Sequence, residues 1–128
     1  MPPVTQVNIS SPANETLFSD AAMGSAVDAV KASSATVYYL IIDNSLNAAA
    51  SYVKLFNQAA GGITLGTTVP DEVIYVAPNA KIVQTFTSGP GVLGKVFGSA
   101  LAAACVTTGG TAGVTAPIFN VPVVLAYS

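Results

Sequence analysis

From Ser34 onward the chain reads as a succession of short strands. Ala35-Thr36-Val37-Tyr38-Tyr39-Leu40-Ile41-Ile42 is β-branched and aromatic without polar alternation, and Asp43-Asn44-Ser45 stops it. A run of this kind predicts a strand buried on both faces. Ser51–Phe56 alternates, with Tyr52, Lys54 and Phe56 on one face and Val53 and Leu55 on the other, before Asn57–Gly62 ends it with adjacent glycines. Glu72–Ala77 is a third strand closed by Pro78-Asn79. Ala80–Thr87 is a fourth, with Ile82, Gln84 and Phe86 opposite Lys81, Val83 and Thr85. Ser88-Gly89-Pro90-Gly91 breaks the chain. The alanines of Gly91–Val106 favour a helix by propensity, but Gly94 and Gly98 interrupt it and strands fit the spacing better. Thr107–Ala116 is a Gly/Thr loop, and Ile118–Tyr127 is a last strand broken by Pro122, a residue suited to an edge or a bulge.

Regularly spaced short strands joined by Gly/Pro turns predict an all-β fold, an antiparallel β-sandwich that is jelly-roll-like. Residues 1–32 have a different texture. Their apolar positions Val4, Val7, Ile9, Leu17 and Phe18 form short extended pieces separated by Pro and Ser, so this stretch reads as an N-terminal arm or edge segment preceding a sandwich domain at 33–128.

Composition changes the picture from fold to surface. Hydrophobic residues make up 52% of the 128 and charged residues 8%, with a net charge of -2. An ordinary domain is about 25% charged, so roughly twenty charges are missing. Spread over an expected surface on the order of 6,300 Å², ten charges leave about one per 600 Å², a density that favours association. From Val96 to Ser128 there are 33 residues without a charge. A sandwich strand hides only one face in its own core. The apolar stretches Val37–Ile42 and Val121–Ala126 therefore have a face left over, which reads as a subunit interface. The alternative is a tightly covered core beneath a Ser/Thr/Asn surface.

The same composition removes several chemistries. Lys31, Lys54, Lys81 and Lys95 are the whole cation supply and are scattered, too few for nucleic-acid binding. Without histidine there is no Cys/His zinc site and no Ser-His-Asp or Cys-His catalysis. Cys105, within Ala102-Ala103-Ala104-Cys105-Val106, reads as a small buried hydrophobe. The six-residue run Val37–Ile42 is far short of the ~20 residues of a membrane-spanning helix. The first residues lack a basic and an apolar region, so no signal peptide is expected and the sequons at Asn8 and Asn14 read as chance matches.

Gly89–Lys95 fits the first seven positions of a phosphate-binding loop but has Val96 in place of the hydroxyl residue. No acidic residue follows, so a Gly-Pro-Gly turn with a solvent-reaching lysine is the expectation. Asp71-Glu72 reads as a turn leading into a strand rather than a carboxylate pair for glycoside chemistry. Asp43–Asn47 reads as an Asx turn rather than a calcium loop. No enzyme and no cofactor are expected. Tyr38, Tyr39, Tyr52, Tyr75 and Tyr127 all fall in strands, and Tyr38 and Tyr39, as neighbours, cannot both face one core.

Tyr38–Ser45, Ala50–Asn57, Gly66-Thr67-Thr68-Val69-Pro70, Pro78-Asn79-Ala80 and Gly94–Leu101 together resemble the pattern of small β-sandwich virion proteins of tailed bacteriophages, over roughly residues 36–108. The chain departs from that pattern in its few charges and its long N-terminal segment. The resemblance implies a head-decoration or cement protein on the capsid surface, made in the bacterial cytoplasm. It also implies contacts with the major capsid protein and with copies of itself as a trimer, and no nucleic-acid or membrane partner. A tail or fibre adaptor and a carbohydrate-binding sandwich are the alternatives. The residues expected at the interface are Val4, Val7, Ile9, Leu17, Phe18, Tyr38, Tyr39, Tyr52, Phe119, Val121, Val123 and Tyr127.

Overall fold

The computed structural model describes residues 15–128. Eleven strands are found there: β1 (Thr16–Asp20), β2 (Asp28–Lys31), β3 (Ala35–Asp43), β4 (Ser51–Phe56), β5 (Glu72–Val76), β6 (Lys81–Thr85), β7 (Thr87–Gly89), β8 (Val92–Leu93), β9 (Lys95–Phe97), β10 (Leu101–Val106) and β11 (Val123–Tyr127). One antiparallel sheet has the order β1-β11-β3-β6, with β9 alongside the N-terminal half of β3. The other has the order β2-β10-β4-β5, and β7 and β8 form a separate ribbon. Counting only the eight principal strands, the first sheet holds the first, eighth, third and sixth, and the second holds the second, seventh, fourth and fifth. That is the jelly-roll order, so the all-β sandwich expected from strand spacing is the fold.

The core lies between the sheets. Val37, Leu40, Ile42, Val123 and Leu125 come from the β1 sheet, and Val53, Leu55, Ile74, Val76, Ala103 and Cys105 from the β2 sheet. β4 follows its sequence alternation, with Val53 and Leu55 in the core and Tyr52, Lys54 and Phe56 on the other face. The Gly91–Val106 stretch forms strands rather than a helix.

β3 differs from the two-sided burial predicted for it. Ala126 pairs with Tyr39 but Tyr127 pairs with Val37, leaving Tyr38 as an extra residue in a β-bulge. The bulge changes the alternation: Val37 faces in before it, and Leu40 and Ile42 face in after it. Tyr39 and Ile41 consequently face outward. The unbroken apolar run is two alternating segments joined out of phase. Tyr38 is buried at the bulge, and its hydroxyl meets Ser128 Oγ at 2.7 Å. Gly94, at φ +102, passes so close to the Tyr38 ring that a Cβ would lie 3.0 Å from it.

The stretch expected as an arm or edge segment contributes, over its described part, one edge strand to each sheet, β1 and β2. Asp20 ends β1 and Asp28 begins β2, and their carboxyl groups meet where the chain crosses between sheets. Asp28 Oδ2 is shut from water and finds no N–H or O–H partner. Burial first, then the Asp20 carboxyl, pushes the Asp28 pKa up to about 7. At the open side of the sandwich, Lys95 of β9 pairs with Glu72 of β5 and joins the two sheets. Lys95 Nζ also lies 5.6 Å above the Phe97 ring.

The middle of the outer face of the β2 sheet, over β4 and β10, is covered by the chain itself, while Val73 and Tyr75 of the edge strand β5 remain exposed. Lys54 is 0% exposed, and its ammonium donates to the carbonyls of Gly113 at 2.9 Å and Thr111 at 3.4 Å. These bonds hold the Gly/Thr loop over β4, and burial lowers the Lys54 pKa. Gly113 is required here, because a Cβ would fall 2.2 Å from the Thr108 carbonyl oxygen. Beside it, the 3₁₀ turn Ala60–Gly62 approaches β10. β10 is buried along its whole length, Leu101, Ala103 and Cys105 in the core and Ala102, Ala104 and Val106 on the covered face. Much of the charge-free C-terminal third is therefore interior. The buried lysine itself had no signal in the sequence, where only its face was legible.

Two outcomes follow for stability. Lys54→Ala leaves a cavity and two carbonyls without a donor, and is expected to cost about 2–4 kcal/mol in urea unfolding, with faster proteolysis within residues 107–116. The folded chain holds the Asp28 proton more tightly than the unfolded chain, where Asp titrates near 3.8. Folding stability should therefore fall as pH rises from about 4 to about 7 and level off above. Thermal melts of Asp28→Asn should lose that slope.

Candidate interaction surface

On the outer face of the β1 sheet the edge residues Leu17, Val83 and Val96 are exposed, whereas Ala126 is buried and Tyr39, Ile41 and Val124 are half-buried. Strand register assigns its side chains. Phe18, Leu125 and Leu40 face the core, so their neighbours Leu17, Ala126, Tyr39 and Thr85 form a row across the outside. Ser19, Val124, Ile41 and Val83 form the next row. Val96, paired with Thr36, extends the face past the bulge. Leu17 is 57% exposed, Val83 64% and Val96 61%. The two central rows contain no charge. Charges stand only at the margins, with Asp43 and Lys81 paired across strands at one end and Glu15 at the other, accepting the Tyr39 hydroxyl at 3.2 Å. Burial, then Glu15, raises the Tyr39 pKa.

A second apolar feature lies at one end of the sandwich. Asn44 is fully buried; its amide donates to the carbonyls of Ala49 and Ala77 and its Oδ1 accepts the Ser51 hydroxyl. Asn47, also buried, spends both ends of its amide on one residue. Its Nδ2 donates to Phe119 O at 3.1 Å, and its Oδ1 accepts Phe119 N at 2.9 Å. This side-chain clamp fixes the backbone of a segment that displays Ile118, 85% exposed, and Phe119, 57% exposed. A cleft of ≈ 250 Å³ lies between them and Ala48, Ala49 and Thr107.

The residues expected at an interface divide accordingly. Leu17, Tyr39 and Phe119 are outward. Phe18 and Tyr127 pack against the core, and Tyr52 lies on the covered face of the β2 sheet beside Tyr75, ring centroids 5.4 Å apart. Tyr38, Val121 and Val123 are buried within the chain, the first by the bulge and the others by facing the opposite sheet, so they are not available to a partner. Val4, Val7 and Ile9 lie outside the described residues. Ile41 and Val124 were not singled out but fall in the stretches Val37–Ile42 and Val121–Ala126 whose spare face was expected at an interface; Val83, Ile118 and the Asn47 clamp were not anticipated. Val83 was legible as an apolar residue on the Lys81/Thr85 face of its strand. The clamp was not, since its partners are 72 residues apart.

The remaining motifs are structural. Gly89–Val96 spans a strand ribbon rather than a strand-to-helix loop, and Lys95, expected free in solvent, is the partner of Glu72. Asp71 Oδ2 accepts the Asn57 amide and its own N–H donates to Leu55 O, closing the 57–71 loop ahead of β5. Asp43 Oδ1 accepts the Ser45 amide in an Asx turn. Burial pushes the Cys105 thiol up to about 12, which keeps it protonated and unreactive. Among the described residues no three His, Cys, Asp or Glu side chains gather where a metal ion could be held, and no helix is long and apolar enough to cross a membrane.

Comparison with family models, with curated proteins and with solved structures finds no match to the chain.

Asn47→Ala is expected to release the Ile118–Phe119 segment while leaving the sheets intact. It should cost about 1–2 kcal/mol in stability, and hydrogen exchange should show the Phe119 amide losing protection.

Proposed function

We propose that the protein is a structural component of a bacteriophage virion, a capsid decoration or cement protein that binds copies of itself and the shell. The observation that carries this is the outer face of the β1 sheet, where the exposed Leu17 and Val83 flank the half-buried Ile41 and Val124 without a charge between them. Contiguous exposed apolar surface of this kind is characteristic of contact with other macromolecules. The clamped Ile118–Phe119 segment adds a second, rigidly presented apolar contact. The jelly-roll order supports the same reading, because viral capsid domains use it, although it also serves lectins and cannot carry function by itself.

On this account chemistry plays no part, and the protein acts by covering surface and stiffening the shell. Its amide and hydroxyl groups are engaged in holding loops, as at Asn44, Asn47 and Ser51.

Quantitative mass spectrometry and cryo-electron density of purified particles test the proposal. Hundreds of copies on the head are expected. A handful at the tail would assign the protein to an adaptor or fibre instead, and absence from particles with binding to a glycan array would replace the proposal with the lectin alternative.

A further inference from the structure

We propose that Asp20 and Asp28 form a pH-sensitive clasp that holds the edge strands β1 and β2 together across the sandwich. The clasp is independent of the assembly reading above.

Strand register places the pair. Asp20 pairs with the core residue Val123 and Asp28 with the core residue Ala103, so each lies on the inner face of its own sheet. β1 and β2 are edge strands of the two sheets, and each carboxyl enters the gap between the sheets from its own side. The link between them, residues 21–27, is fixed to both sheets. Met23 N–H donates to Val121 O at 3.1 Å, and Cys105 N–H donates to Gly24 O at 2.9 Å. These bonds keep the two carboxyls close.

Nothing around the pair neutralises it. Asp20 Oδ1 accepts the Ala22 amide at 2.9 Å, whereas Asp28 Oδ2 is closed off from water without a donor. Residues 21–27 carry no titratable group. On the neighbouring strands, β10 offers only Cys105, whose thiol stays protonated, and β11 only Tyr127, which pairs with Thr16 at the far end of β1. Lys31, at the other end of β2, makes no ion pair with either carboxyl among the described residues. Two facing carboxylates without a cation repel, and one proton between them turns the repulsion into a hydrogen bond. The opposite edge of the sandwich is closed by the Lys95–Glu72 ion pair, which needs no such proton.

The two edges therefore respond differently to pH. Once β1 and β2 part, Asp28 is an ordinary carboxyl that ionises near 3.8, while the closed clasp holds its proton up to about 7. Rising pH favours the open form between those values and has no further effect above them. Because β1 carries Leu17, the clasp also governs how firmly that edge of the outer apolar face is held.

Amide hydrogen exchange of the full chain, followed by NMR and corrected for the intrinsic rate, tests the clasp. From about pH 5 to about pH 8, protection of β1 and β2 is expected to fall more than about tenfold, while β5 and β6 at the opposite edge change less than about twofold. Asp28→Asn, whose amide donates to the Asp20 carboxylate at every pH, should hold β1 and β2 at constant protection. Asp20→Asn should do the same from the other side. Protection of β1 and β2 that does not change with pH overturns the proposal. So does a fall of equal size in β5 and β6, or a fall that survives Asp28→Asn. The wild-type contrast between the two edges decides the matter even where a variant does not fold.

Discussion

A strand in a two-layer sandwich has two faces, and the core between the layers covers only one of them. With charged residues at 8% of the chain, there is little polar side-chain material to solvate the other. The two sheets meet this constraint differently. The β2 sheet lays its own loops over β4 and β10, held by a lysine buried beneath them. The alanines of β10 make that surface low enough for close approach. The β1 sheet has no such loop among the described residues, and it leaves leucine, isoleucine and valine facing out. The difference between the sheets, more than the overall hydrophobicity, is what points to a partner.

Polar groups in this protein serve mainly to fix backbone. Asn44 ties three segments together at one end of the sandwich, Asn47 pins the Phe119 backbone, and Asp71 closes a loop. Each does with an uncharged amide or a single carboxylate what a salt-bridge network does elsewhere. Buried polar groups satisfied in this way hold one conformation, because any alternative strands a donor or acceptor away from water. The loops that carry apolar residues outward are therefore rigid platforms. Side chains presented on such a backbone lose little conformational freedom on binding, which favours association.

The strands of the fold were legible where alternation was simple. β4 and β6 show their faces in the sequence, and the Gly-Pro-Gly break before β8 is unmistakable. β3 was legible as a strand but not in its facing, because one inserted residue at Tyr38 shifts the phase and makes two alternating halves look like a doubly buried run. The same difficulty affects the surface. Val121 and Val123 look like surplus hydrophobic residues until the opposite sheet is in place to receive them. The burial of Lys54 depends on Thr111 and Gly113, more than fifty residues away, and no local pattern encodes it. Sequence reading expected spare apolar surface on Val37–Ile42 and Val121–Ala126, and three-dimensional pairing shows that these neighbour each other in one sheet, flanked by Leu17 and Val83.

The central proposal is that the chain's own loops finish the middle of one sheet, over β4 and β10, and that a neighbouring molecule finishes the other. Solvent labelling of side chains by hydroxyl radicals, read residue by residue at low concentration and in the assembled state, tests it most directly. The account predicts that Leu17, Ile41, Val83 and Val124 lose labelling on assembly, while Tyr52 and Phe56, already under the loops, stay as they were. Labelling of the β1 sheet that is the same in both states would contradict it.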